Sequence, residues 1–72
     1  MLDSYETLSD REREVLHLVA AGLTNKETAS RLSISNRKVE AYRARLMFKL
    51  DLRSHAGLVR YAMRKENLRL RD

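Results

Sequence analysis

Thr24-Asn25-Lys26-Glu27-Thr28-Ala29, followed after two residues by Leu32-Ser33-Ile34-Ser35-Asn36-Arg37-Lys38-Val39, is the stretch that decides the fold. It reads as a short helix, a tight break at residues 33–35, and a second helix opened by a capping serine and two cations. A helix with a capped start and exposed Arg and Lys suits the major groove of DNA. Its first turn then meets base edges and phosphates together. Lys26, Arg31, Arg37, Lys38, Arg43, Arg45 and Lys49 all fall on this pair of helices, so charge and geometry agree.

Working outward, each neighbouring helix has its own start signal. Ser9-Asp10-Arg11-Glu12 is a capping box, in which serine hydroxyl and glutamate carboxylate satisfy each other's backbone donors. Behind it Glu12, Val15, Leu16 and Val19 recur at helical spacing, and Gly22 supplies a left-handed stop, so the first helix is expected over 10–21. Thr24-Asn25-Lys26-Glu27 is a second capping box, with a helix to Leu32 that turns Ala29 and Leu32 inward. Ser35 caps the third helix, whose Val39, Tyr42, Leu46 and Leu50 keep a three-four rhythm on one side. Asp51-Leu52-Arg53 breaks that rhythm, and Ser54 caps a fourth helix expected to reach Lys65, with Leu58, Val59, Ala62 and Met63 as its apolar positions. Gly57 weakens its first turn by up to about 1 kcal/mol, and residues 66–72 are expected to fray. Alternation of apolar and polar residues is nowhere sustained, so no strand is expected. The fold class is all-α, a four-helix bundle with a central helix-turn-helix, forming a single domain over 1–72 with its core at about 8–66.

Composition sets the bounds. Seventy-two residues make one small domain, and such a chain buries only about 60% of its unfolded surface. There is no cysteine, hence no disulfide and no thiolate metal site, which suits the reducing cytoplasm. No apolar run approaches the roughly 18 residues of a membrane span, and no signal-peptide pattern opens the chain. The reading therefore expects no membrane association and a cytoplasmic location, on the nucleoid when bound. Charge is split along the chain: residues 1–35 carry four Lys/Arg against six Asp/Glu, residues 36–72 eleven against four. One-sided positive charge is the footprint of a polyanion binder, although basic helices are also often merely solvated.

Leu8-Ser9-Asp10-Arg11-Glu12-Arg13-Glu14-Val15-Leu16 resembles the opening of the LuxR-type (NarL/FixJ) DNA-binding domain. The likeness continues through Ala21-Gly22, Asn25-Lys26-Glu27, Ala29, Leu32, Ile34-Ser35, Val39 and Lys49-Leu50, in order and at the right spacing. Val39-Glu40-Ala41-Tyr42-Arg43-Ala44 with Leu58-Val59-Arg60 is most similar to the FixJ-like branch of response regulators. The resemblance implies the C-terminal output half of a two-component regulator, a third helix (about 36–50) in the major groove, and a homodimer on an inverted repeat through Leu58, Val59 and Ala62 of the fourth helix. It places Thr24, Asn25, Lys26, Ser35, Lys38, Tyr42 and Lys49 along the phosphate backbone. Val39 would face the core edge and a thymine methyl. Glu40, Ala41, Arg43 and Ala44 stand at positions that vary with the DNA site, and Arg37 joins them as a base reader. Three departures stand out. Thr28 replaces a usual isoleucine, which trims the packing of the second helix. Tyr42 replaces a common histidine and offers its hydroxyl to a phosphate, while Asp51 replaces the usual glycine, which is expected to slacken the break.

The residue chemistry fits those places. Positions 37, 40, 41, 44 and 48 lie opposite Val39, Leu46 and Leu50 on the third helix. Arg37 and Arg43 each suit a guanine O6/N7 pair or a phosphate clamp. Glu40 suits cytosine N4, or orients Arg43 or Arg37, or forms an ordinary exposed pair three residues apart. Ala41 and Ala44 permit close approach and methyl contact with thymine, although both also simply favour helix. Lys38 and Lys49, flexible point charges, suit phosphates, and Arg60, Arg64, Arg69 and Arg71 read as solvated charge. His17 and His55 lack metal-ligand spacing, and His17 is expected as partly buried scaffold. No catalytic triad, phosphate-cradling loop or acid/base pair stands out, so no enzyme, cofactor, small-molecule ligand or substrate pocket is expected. Two rivals share the basic helix-turn-helix: a sigma-factor region-four domain, and a protein-interaction module docking an acidic partner such as RNA polymerase or a receiver domain.

Overall fold

The computed structural model describes residues 4–70, with side chains through Asn67. After a 3-10 turn at Ser4–Thr7, four helices follow: α1 (Asp10–Ala20), α2 (Asn25–Leu32), α3 (Asn36–Lys49) and α4 (His55–Leu70), and no strand occurs among the described residues. The architecture is all-helical, as the patterning requires.

Both capping boxes form. Ser9 Oγ accepts from the Glu12 amide at 3.1 Å while the Ser9 amide donates to Glu12 Oε1 at 2.8 Å. Thr24 and Glu27 repeat the arrangement at 3.1 and 2.8 Å, and those bonds hold the Glu27 carboxyl below its ordinary pKa. Ser35 Oγ accepts from the Lys38 amide at 3.0 Å and Ser54 Oγ from the Gly57 amide at 3.0 Å. The two remaining helix starts are thus capped without the reciprocal carboxylate.

The helix ends follow a different chemistry. Gly22 takes φ +86° after α1, and the Leu23 amide returns to the Leu18 carbonyl at 3.1 Å. Ser33 (φ 58°) ends α2 and Asp51 (φ 55°) ends α3, both left-handed without a glycine. Beyond Asp51 the Leu52 amide closes on the Met47 carbonyl at 2.8 Å. The slack expected where Asp51 replaces glycine does not arise: the aspartate accepts the strained conformation, which its short polar side chain tolerates better than most.

α1 is the central element. It packs against α3 and α4, while α2 lies chiefly on α3. Leu8, Val15, Leu16, Val19, Leu46, Leu50, Leu58 and Ala62 form the core, edged by Tyr5, Leu32, Tyr42, Met47, Leu52 and Val59. Thr28 is buried in the isoleucine-like position, and its Oγ1 has no hydrogen-bond partner there. Gly57 has a local reason, since a Cβ would stand 3.2 Å from the Ser54 cap oxygen.

Several expectations change. α4 runs on to Leu70 instead of ending at Lys65, because Lys65-Glu66-Asn67-Leu68 offers no glycine or proline to stop it. Residues 71–72 of the expected frayed tail lie outside the described residues. His17 is 53% exposed rather than partly buried, and its Nδ1 meets Glu66 Oε1 at 2.5 Å. Leu58 and Ala62 are fully enclosed, so they serve the core and not a contact between copies. The apolar face of α4 covers a core built mainly on α1 and shared with Leu46 and Leu50 of α3. Val59 is half-buried against the same core, and Met63 is exposed.

Candidate nucleic-acid interface

α3 is positioned by its buried side. Val39 and Leu46 are completely enclosed and Leu50 nearly so, which fixes the rotation of the helix about its axis. Arg37, Glu40, Ala41, Ala44 and Phe48 consequently stand exposed together on the opposite side. Lys38 and Arg45 flank them, and the Arg45 guanidinium lies 5.3 Å from the centre of the Tyr42 ring. α3 carries five cations, Arg37, Lys38, Arg43, Arg45 and Lys49, against the single carboxylate of Glu40. Such a surface attracts a polyanion at long range.

The structure separates the expected base readers. Arg37, Glu40, Ala41 and Ala44 share the open face. Val39 does not: at 0% exposed it keeps the core and has no methyl free for thymine. Glu40 forms no ion pair with Arg37 or Arg43 among the described residues. Arg43 points elsewhere, half-buried, its guanidinium donating to Nδ1 of His55 across to the start of α4. Burial draws the Arg43 pKa below its ordinary value, yet a guanidinium stays cationic at any physiological pH.

Arg43 and His55 belong to a cleft of about 440 Å³ with Gly22, Leu23, Thr24 and Asn25. The α1–α2 loop, the first turn of α2, the middle of α3 and the beginning of α4 meet there. A guanidinium beside the amide-bearing N-terminus of a helix suits a phosphate oxygen better than a base edge. Thr24 and Asn25, expected on the backbone, are in this cleft, and Lys26 is exposed one residue on. Sequence reasoning missed His55, because nothing in the spacing to Arg43 signals that the α3–α4 turn folds one against the other.

Lys49, expected along the phosphate backbone, is paired with α1 in the free domain. Its Nζ donates to Glu12 Oε1 at 2.9 Å, and that carboxylate is only 3% exposed. Burial disfavours the Glu12 anion, but the hydrogen bonds from Lys49 and the Ser9 amide outweigh it and lower its pKa. Lys49 is thus committed to α1. Ser35 is spent capping α3. Arg60 and Arg64 are exposed, while the Arg69 side chain and Arg71 lie outside the described residues.

On a side that no α3 residue lines, an open groove of about 540 Å³ runs between Tyr5, Arg13, Glu14, His17, Leu18, Arg31 and Leu32. No described helix is long and apolar enough to cross a membrane.

The sequence is similar to those of known proteins. The chain is 46% identical over 66 residues to the oxygen regulatory protein NreC of Staphylococcus haemolyticus (strain JCSC1435), and equally to NreC of Staphylococcus aureus (strain JH9). Each likeness takes in 92% of this chain and 30% of the relative, so the chain spans under a third of these proteins' length. Residues 6–62 match the family described as bacterial regulatory proteins, luxR family. That span holds both capping boxes, the turn and all of α3, and the chain belongs to the luxR family, as a DNA-binding domain of transcription regulation rather than an enzyme.

Proposed function

We propose that this domain is the DNA-reading output half of a two-component response regulator, with α3 in the major groove and two copies on an inverted repeat. The observation that carries the reading is the open face of α3. Arg37, Glu40, Ala41 and Ala44 stand together there without a protein neighbour covering them, on a helix of five cations and one anion. Arg37 and Glu40 then address base edges, and Ala41 and Ala44 let the helix sit deep in the groove. Lys26, Lys38, Thr24, Asn25 and the Arg43 cleft hold phosphates on either side, with Tyr42 at their edge. In a two-fold pair the half-sites lie about one helical turn (~34 Å) apart. The pairing surface on α4 is its outer stripe, Ala56, Arg60, Met63 and Asn67, since Leu58 and Ala62 are spent inside.

Selection of bound duplexes from a random library, at low and near-physiological salt, tests the reading. An enriched inverted repeat that persists at the higher salt is expected. Binding without enrichment that disappears with salt would leave a generic polyanion grip and favour an acidic protein partner instead. On the selected site, Arg37→Ala is expected to cost about 1–3 kcal/mol and relax one base position. Arg43→Ala is expected to weaken all sequences alike and flatten the salt dependence by about one unit of slope. A loss confined to one base position would return Arg43 to base reading.

A further inference from the structure

Phe48 is 88% exposed, and Met63 is the other large apolar side chain on the described surface. A single exposed apolar side chain is ordinary on a protein surface, so exposure alone assigns this ring nothing. Its place is informative. Ala41, Ala44 and Phe48 follow at three- and four-residue steps along the open face of α3. From Ala41 to Phe48 the helix rises about 10 Å, or about three base-pair steps. Neither neighbouring cation is turned to the ring: Arg45 lies over Tyr42, and Lys49 is drawn back to Glu12.

We infer that Phe48 is a specificity residue that reads the 5-methyl group of a thymine, three base-pair steps from the contact of Ala41. The inference rests on the major-groove reading above. In that groove the thymine methyl is the one apolar group a base pair presents, and every other edge offers a donor or acceptor that a phenyl ring leaves unsatisfied. The two alanines are short enough to let the helix settle until the larger ring meets the groove floor. Continuity with the reading face, and the positive charge that Arg37, Lys38 and Arg45 add to the same helix, select nucleic acid over an apolar protein surface as the occupant.

Deoxyuridine differs from thymidine by that methyl alone, which gives a direct test. With the duplex selected by the 72-residue chain, each thymine of a half-site is replaced singly by deoxyuridine, and affinities are measured for the wild type, Phe48→Ala and Phe48→Leu. One position is expected to cost the wild type about three- to five-fold, the value of one buried methyl. Phe48→Ala is expected to bind the thymine site weaker by a similar factor, to be indifferent to deoxyuridine there, and to lose thymine preference in a repeated selection. Phe48→Leu retains part of the effect. Circular dichroism of both variants should match the wild type, because the ring packs on nothing. If Phe48→Ala keeps the wild-type deoxyuridine profile, the inference is overturned while the DNA reading stands. An equal loss on all duplexes, or Phe48→Ala altering only self-association, overturns it as well. Should the wild type itself select no sequence, the DNA reading fails first and the inference with it.

Discussion

Glu12 shows how a single carboxylate serves two elements. It closes the cap of α1 through the Ser9 amide and accepts from Lys49 at the far end of α3. A buried anion left without its partner is costly, so Lys49→Met is expected to lower stability by about 2 kcal/mol or more. The folded carboxyl titrates below its ordinary value of 4.5, with burial opposing and the Lys49 and Ser9 bonds prevailing. Its contribution is therefore complete above the unfolded pKa and is lost as pH falls through the folded one. Urea midpoints for wild type and Glu12→Gln between pH 7 and pH 3 should converge toward the acid end; a constant gap would mean the charge is immaterial. The cap half of this arrangement was legible, because Ser9 and Glu12 are neighbours along the chain. The Lys49 half was not, since only the packing of α1 on α3 brings those two residues together. The same limit hid that Arg43 reaches His55 and that Val39 is fully enclosed.

Helix starts were legible, and so were the stops of α1, α2 and α3, which fall within a residue of their expected places; only the end of α4 was not. Ser9, Thr24, Ser35 and Ser54 each bond an amide a few residues ahead, and chemistry that local is written in the sequence. Gly22 announced its left-handed stop, whereas Ser33 and Asp51 stand at breaks the pattern marked but take a left-handed φ that neither residue type advertises. Gly22 separates space from conformation. A methyl there would meet nothing within 4 Å, yet φ is +86°. Gly22→Ala is expected to lose about 1–2 kcal/mol from backbone strain alone, read as a lower urea midpoint at unchanged slope. An unaltered midpoint would show that the loop relaxes freely. α4 outran its expected end for the converse reason: nothing in residues 66–70 forbids helix, and Glu66 gains His17 as a neighbour.

At the scale of the molecule, the surface divides by use. α1 spends most of itself inward, α3 offers one face to solvent and one to the core, and α4 keeps Ala56, Arg60, Met63 and Asn67 outside. If two copies pair through that stripe on DNA, Met63→Glu should reduce affinity for a two-half-site duplex tenfold or more, through lost avidity. Single half-site affinity and thermal stability should not change, because Met63 is 51% exposed and supports no core. Equal weakening on both duplexes would remove α4 from the pairing surface. The overall bundle was legible from the heptad-like rhythm and caps; the allocation of α4 was not, since Leu58, Val59, Ala62 and Met63 are all apolar and only the packing separates those that face α1.

The connections between helices are short, 21–24, 33–35 and 50–54, and the sequence contains no proline. Closing such loops costs little chain entropy, and no prolyl bond has to isomerise before the helices meet. The domain therefore belongs among fast, locally wired folders, acquiring its structure on a microsecond-to-millisecond scale. A segment that refolds so quickly recovers from transient unfolding between encounters, and its working life is set by the small fraction of time it spends open, which fast closing keeps low.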